Sequence, residues 1–297
     1  MTVKYIGHGE FPHPLNALDK WSGTYEDFYP HSIASEWQVT CVLDFGNGYI
    51  GLVESARLTP QTPTFETPQM RVTVIQLVDP SKVVRQLVID LPLMGPIESY
   101  LPLVSAVTLG SGRVGICVTN NASNLGSPAG YSCTIISFES GLLSVGEWSY
   151  VADVFNSDYM SDKGLRTCLF LSGSNQVYLL AWGQALYIRR LELTTTNSMA
   201  EATDWVRVTD PEFEVRWSGR DQSVFVLVSG QIRGFLWRDN DALLSVQFRT
   251  DGGGFTSQVI DDTLNLGSAY SGGFVSHVVV RGDTTEVVYY KYKASPS

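Results

Sequence analysis

Between Phe213 and Thr250 four short runs with apolar residues follow one another: Glu214–Ser218, Val224–Ser229, Ile232–Trp237 and Leu243–Arg249. Each is rich in β-branched or aromatic side chains, the composition of a strand packed on a core. Ser218-Gly219-Arg220-Asp221, Gly230-Gln231 and Arg238-Asp239-Asn240-Asp241 separate them, all clusters of turn formers. Strands joined this tightly pair antiparallel in chain order. A four-stranded unit of this kind, repeated along a chain, builds a β-propeller.

The unit repeats. A first blade reads Trp37–Leu43, Tyr49–Leu58, Arg71–Val78 and Val83–Leu91, with turns at Gly46-Asn47-Gly48 and Asp79-Pro80-Ser81. A second reads Leu103–Leu109, Val114–Thr119, Tyr131–Phe138 and Leu142–Val151. A third reads Arg166–Leu171, Gln176–Trp182, Ala185–Leu193 and Asp204–Thr209. The run from Phe213 is the fourth. Gly267–Ser271, Phe274–Arg281 and Thr285–Lys293 are a fifth that stops one strand short. Ser172–Gln184 resembles Ser218–Gln231 in its letters as well as in its pattern, and glycine suits these corners because tight hairpins need positive φ.

The expected fold is therefore all-β: a single propeller over residues 1–297, with five blades of four antiparallel strands. Thr2–Ile6 supplies the missing strand and closes the ring, which also hides sheet edges. Two packed sandwiches are the alternative architecture. Gly7–Ser35, a long segment with three prolines and many aromatics, reads as an arm or functional loop.

In such a fold the links between blades and between second and third strands share one face. That face receives Gly7–Ser35, Thr59–Pro68, Pro92–Pro102, Asn120–Gly130, Ala152–Lys163 and Asp251–Leu266, whereas the other receives mostly short turns. Long loops on a rigid scaffold carry binding. Trp21, Tyr25, Phe28, Tyr29 and His31 are the contact candidates, against the plainer reading that they cover the core of the first blade. Asp44 and Glu214, with Arg166 and Arg216, fall on inner strands and are the axial candidates. The arginines suit a carboxylate or phosphate, or else pair with Glu212 and Glu214.

Composition narrows the partners. The formal charge is −10, which disfavours a nucleic-acid surface, although ten of the twenty Lys and Arg lie between Lys163 and Arg249. With 44% hydrophobic and 17% charged residues the chain is an ordinary folded protein. No apolar run approaches the roughly 18 residues of a membrane span. Met1–Glu10 has no basic region followed by an apolar one, which predicts no secretory signal. Cys41, Cys117, Cys133 and Cys168 have no metal spacing. Cys117 and Cys133 fall on neighbouring strands and either pair in an oxidising place or sit as small buried thiols.

Several motifs are weak. The histidines of His8-Gly9-Glu10-Phe11-Pro12-His13 are five apart around glycine and proline, unlike the helical zinc motif, so no metal or other cofactor is expected. Asp251-Gly252-Gly253-Gly254-Phe255-Thr256 resembles the Asp-box turn of sialidase-type propellers, but lacks the Trp and falls after a fourth strand rather than before one. Arg281-Gly282-Asp283 is a hairpin corner. Five-bladed furanoside-cleaving glycosidases need three convergent carboxylates, and the inner strands of the second and third blades contain none.

In architecture the chain resembles the propeller domains of bacteriophage tail, nozzle and accessory virion proteins. Low charge, Gly/Ser/Thr/Asn-rich turns, no export signal and the aromatic arm fit that class. The resemblance implies a non-enzymatic component of the virion, held in many copies by loops and arms to other structural subunits, with a host-surface glycan as a further partner. A carbohydrate-binding propeller is the alternative, then a glycoside hydrolase. Trp148, Trp182, Trp205, Trp217 and Trp237 share no blade position, which opposes one sugar pocket per blade.

Overall fold

The structure, a computed structural model, describes residues 37–56, 69–92, 103–119, 131–151, 166–173, 176–182, 185–209, 224–238, 242–261 and 271–293. Every regular element among them is a strand. Sheet 1 holds β1 (Trp37–Gly46), β2 (Tyr49–Ala56), β3 (Gln69–Gln76) and β4 (Asp79–Asp90) in that order. Sheet 2 orders β5 (Leu103–Gly110), β6 (Arg113–Thr119) and β7 (Tyr131–Glu139), with β8 (Leu142–Val145) and β9 (Ser149–Val151) both on β7. Sheet 3 runs β10 (Arg166–Leu171), β11 (Val177–Trp182) and β12 (Leu186–Leu193), with β13 (Met199–Glu201) and β14 (Val206–Arg207) on β12. Sheet 4 is β15 (Val224–Val228), β16 (Gln231–Arg238), β17 (Ala242–Arg249) and β18 (Thr256–Asp261); sheet 5 pairs β19 (Ser271–Arg281) with β20 (Thr284–Lys293). All pairings are antiparallel and, apart from β9 on β7 and β14 on β12, join strands consecutive in the chain, so the fold is the expected all-β propeller class built on four-stranded units. The closing strand Thr2–Ile6 and the arm Gly7–Ser35 lie outside the described residues.

The corners explain the composition. Asn47-Gly48, Ser111-Gly112, Ser140-Gly141 and Ser229-Gly230 are two-residue hairpins in which both residues have positive φ, between 50° and 78°. That is the type I′ turn, whose twist matches the flanking strands. The Ser, Asn and Gly content read as a virion trait is thus demanded by hairpin geometry in any protein of this fold.

The described residues form two compact units. One contains sheets 1 and 2 with Leu193–Ala200. Its core is made by Leu43, Phe45, Val53, Val72 and Val74 of sheet 1 against Val114, Ile116, Val118, Ile136 and Phe138 of sheet 2. Phe138 stands tilted to Phe45 at 5.8 Å and to Tyr49 at 5.1 Å between ring centres. Arg85 Nε donates to the Gly141 carbonyl at 2.8 Å, tying β4 to the β7–β8 corner. The other unit contains sheets 3 to 5 with the rest of β12 and β13. Phe170, Leu180, Trp182, Leu186 and Ile188 pack on Phe225, Ile232, Leu236, Leu244, Val246 and Phe248. Phe235 and Leu243 then meet Val278 and Val287 of sheet 5.

Several expectations differ from the structure. The expected corner Gly272-Gly273 lies inside β19, and β13 falls within the expected connection Thr194–Thr203. The β3–β4 corner is Leu77-Val78, and Asp79-Pro80-Ser81 already belongs to β4. Proline is tolerated there because β4 is an edge strand with no donor needed on its open side. The outer strand of sheet 2 is broken at Gly146, where Ile135 N–H donates instead to Asn197 O at 3.1 Å. In sheet 4, Thr256–Asp261 is a strand within what was expected to be the loop Asp251–Leu266. The first described strand there is β15, one later than expected; Glu214–Ser218 lies outside the described residues.

A methyl at Gly146 would come within 1.8 Å of the Asn197 carbonyl oxygen, which is backbone and cannot give way, whereas Gly141 has open space around it and only a φ of 78° to satisfy. Gly146→Ala should therefore cost about 2–3 kcal/mol and Gly141→Ala about 1 kcal/mol, read from urea midpoints. Equal costs would contradict the close approach.

Candidate functional site

The two ends of the sheets differ. At one end sit the corners between first and second and between third and fourth strands, six of them two-residue hairpins among the described residues. The other end carries the links from Ala56 to Gln69, Thr119 to Tyr131, Asp90 to Leu103, Val151 to Arg166, Arg207 to Val224 and Asp261 to Ser271. The expected division between a plain and an elaborated end thus holds in the element order, although Thr250–Phe255 belongs to the plain end.

At the elaborated end of sheet 1, Glu54 near the end of β2 faces Arg71 near the start of β3 in direct register. Arg71 Nε and Nη2 donate to the two carboxylate oxygens at 2.7 and 2.9 Å. Thr73 Oγ1 lies 3.5 Å from the same carboxylate, and Gln86 Nε2 donates to Thr73 at 3.0 Å. Glu54 is 1% exposed. A buried carboxylate needs this compensation, and the bidentate fork supplies it. With both oxygens engaged, Glu54 is not placed to shuttle protons; it fixes the stems of the β2–β3 connection.

The candidates taken from the sequence are distributed as follows. Asp44 is exposed and stands at the plain end of sheet 1, where its carboxylate accepts the Gly46 N–H at 2.8 Å and its carbonyl accepts Thr108 Oγ1 at 3.2 Å. It builds a corner. Arg166 opens β10 opposite Trp182, at the elaborated end of sheet 3. Glu214, Arg216, Trp21, Tyr25, Phe28, Tyr29 and His31 lie outside the described residues. Burial pushes the Cys41 thiol up to about 11, so it is no nucleophile at neutral pH. Among the described residues no three of His, Cys, Asp and Glu gather as metal ligands would.

The turn around Asp251 is placed differently from expectation. It joins β17 to β18, third strand to fourth, which is the position of the Asp-box it resembles. Asp251 Oδ1 accepts the Gly253 N–H at 2.8 Å and Arg249 Nε at 3.1 Å, while Arg249 N–H donates to Gly253 O at 2.9 Å. Phe255 packs on the core of sheets 3 and 4. Gly252 has φ 84°, and a methyl there would meet Val206 at 2.6 Å. The Gly253 amide, then the Arg249 guanidinium, hold the Asp251 carboxyl below its ordinary 3.8.

No family model matches the sequence, nor does any curated relative. Solved structures do. A glycoside hydrolase family 43 protein of Bacillus licheniformis is 10% identical over 82% of this chain and 47% of its own, with TM-score 0.43. A Trypanosoma rangeli sialidase is 11% identical over 82% and 42%, with TM-score 0.45. An α-L-arabinofuranosidase of Clostridium thermocellum is 11% identical over 86% and 82%, with TM-score 0.40. The chain spans less than half the length of the first two. Likeness of this degree concerns the broad fold and assigns no activity. It does correct the expectation of a non-enzymatic virion component: the solved folds it resembles are glycosidases and a sialidase, and resemblance to particle proteins is not among these findings. The composition behind that expectation belongs to the hairpin corners.

Sequence reasoning missed the Glu54–Arg71 pair, whose two members are ordinary until the register joins them. Glu54→Ala should cost about 3–5 kcal/mol by removing the carboxylate that meets two donors of the partly buried Arg71 guanidinium, and joint replacement with Leu and Met should cost much less; urea unfolding of the single and double variants separates the two. At the Asp251 turn, Asp251→Ala should lower stability slightly at pH 7, by under about 1 kcal/mol at so exposed a site. Because the folded pKa is depressed, that loss is full above the unfolded value of 3.8 and shrinks as pH falls through the folded one. Parallel melts from pH 7 to 3 should converge.

Proposed function

We propose that the chain is a carbohydrate-binding propeller whose ligand sits at the elaborated end of the sheets. The observation that carries this is the asymmetry of the connections within each sheet: tight hairpins, most of them cornered by glycine, close one end, while the long links depart from the strand ends opposite. A rigid base with variable loops is the usual way a fold of this class presents a site. Residues 7–35 lead into β1 at that end, and Trp21, Tyr25, Phe28, Tyr29 and His31 offer flat apolar faces with polar rims. Such faces suit sugar rings, whose axial C–H patches stack on aromatics while hydroxyls find hydrogen bonds.

Cleavage of a glycoside is the second reading. What favours it is the Asp251 turn, set between third and fourth strands as in the sialidase-type propellers it resembles. Carboxylates for acid and nucleophile or base roles would then come from residues such as Glu214.

Glycan-array binding followed by titration of tryptophan fluorescence tests the first reading. Trp21→Ala with Tyr25→Ala should weaken a retained glycan at least about tenfold, roughly the loss of one or two stacked rings, with circular dichroism unchanged. No glycan retained by the wild type would end it. Aryl pentosides, hexosides and sialosides test the second reading: turnover lost in Glu214→Ala supports it, and no turnover with any of them removes it.

A further inference from the structure

Cys117 on β6 and Cys133 on β7 stand directly opposite each other in the antiparallel ladder of sheet 2. The two kinds of opposed pair in such a ladder differ in side-chain spacing, and the backbone bonds decide which this is. Phe138 N–H donates to Gly112 O at 2.8 Å, so Gly112 and Phe138 form a hydrogen-bonded pair. The register is unbroken from there to Thr119 and Tyr131, and strict alternation makes Cys117 and Cys133 a non-hydrogen-bonded pair. The outward direction of neighbouring groups agrees. Ile135 donates to Asn197 O and accepts from Gly146 N–H, and Ser198 Oγ donates to Cys133 O at 3.4 Å, all on the side of β7 away from β6. In non-hydrogen-bonded pairs the Cα atoms are about 4.5 Å apart and the side chains at their closest, at the near end of the span a disulfide bridges, about 4.4–6.8 Å.

The geometry points to Cys117 and Cys133 as a dithiol that a low-molecular-weight disulfide, such as glutathione disulfide, converts to a cross-strand bridge. The thiolate of one cysteine attacks a glutathione sulfur, forms a mixed disulfide and releases one glutathione thiolate. The second cysteine then attacks the protein-bound sulfur, forms the Cys117–Cys133 bond and releases the other. The two thiol protons end on the two glutathiones. Both cysteines are fully buried, so the first step proceeds through local opening of sheet 2. No other described cysteine has this arrangement: Cys41 opposes Val53, and Cys168 opposes Leu180. The bridge would clamp β6 to β7 two residues inside the pair Thr119–Tyr131, at the stems of the Asn120–Gly130 connection. It does not depend on what the elaborated end binds.

The test uses the wild-type protein, incubated in buffers of graded reduced-to-oxidised glutathione, quenched with iodoacetamide and peptide-mapped without reduction. A second arm reaches each buffer from urea, so that slow opening does not decide the result. The Cys117–Cys133 linked peptide should be at least about tenfold more abundant at the oxidising end than at the reducing end, reversed by dithiothreitol, with Cys41 and Cys168 alkylated throughout. Cys117 and Cys133 both alkylated in the two arms, or linked to Cys41 or Cys168 instead, would overturn the assignment.

Discussion

Strand β7 has no side that faces water: every residue from Tyr131 to Phe138 is buried. A strand buried on both faces must be covered by packed structure on each of them, and that requirement organises the chain. On one face Ile136 and Phe138 join the core with sheet 1. On the other, Cys133 and Ile135 lie beside Gly115, where Met199 Sδ approaches so closely that a methyl would sit 2.8 Å from it. Sheet 4 repeats the condition, for Leu244 and Val246 pack toward sheet 3 while Leu243 packs toward sheet 5. An isolated meander would leave half of these side chains in water. Within each unit, neighbouring sheets stacked face to face remove that exposure, at about 25 cal/mol per Å² of apolar surface.

Strand type and most of the tight hairpins were legible because the corners announce themselves. A Ser-Gly or Asn-Gly pair between alternating runs admits few structures other than a type I′ hairpin. Phase within the repeat was less legible. Ser172-Gly173 and Ser218-Gly219 look equivalent, and pairing them moved sheet 4 one strand along. The better guide is a different recurrence: Asn47-Gly48-Tyr49-Ile50-Gly51, Ser111-Gly112-Arg113-Val114-Gly115 and Ser229-Gly230-Gln231-Ile232-Arg233-Gly234. All three open a second strand, and each places a glycine where a neighbouring side chain must come close, as Phe225 does over Gly234. The fourth strand Thr256–Asp261 escaped notice for another reason. Its Thr-Ser-Gln-Val-Ile-Asp run is mostly exposed, as the outer edge of a sheet allows, and carries little apolar alternation.

The site was legible only in outline. Uneven connection lengths are a property of the sequence, so the elaborated end could be found without coordinates. Side-chain roles could not. Asp44 looked like an inner-strand acid, yet an aspartate two residues before a glycine corner is well placed to hold the corner's own N–H, and it does. Glu54 and Arg71 are seventeen residues apart with a long connection between them, and nothing local predicts that they meet. Only the β2–β3 register turns two unremarkable charges into a buried pair.

The outer strands of sheets 2 and 3 show how the fold meets its remaining obligation, the unpaired backbone groups at an edge. In each sheet the outer strand is broken into two short pieces on the third strand. In sheet 2 the gap is filled by backbone, since Glu147 N–H donates to Thr196 O at 3.2 Å. In sheet 3 it is filled by a side chain. Arg189, on β12 and 5% exposed, sends Nε and Nη2 to the Thr203 carbonyl and Nη1 to Glu201, with its guanidinium 4.9 Å from the Trp205 ring centre. A planar five-donor cation satisfies there what a continuous strand would have satisfied, and stacks on an aromatic as it does so. Lysine, with one compact ammonium, would reach one of these partners and leave the others buried without bonds. A charged residue inside an apolar sheet is therefore part of the ladder, which is why its charge carries no implication of a ligand.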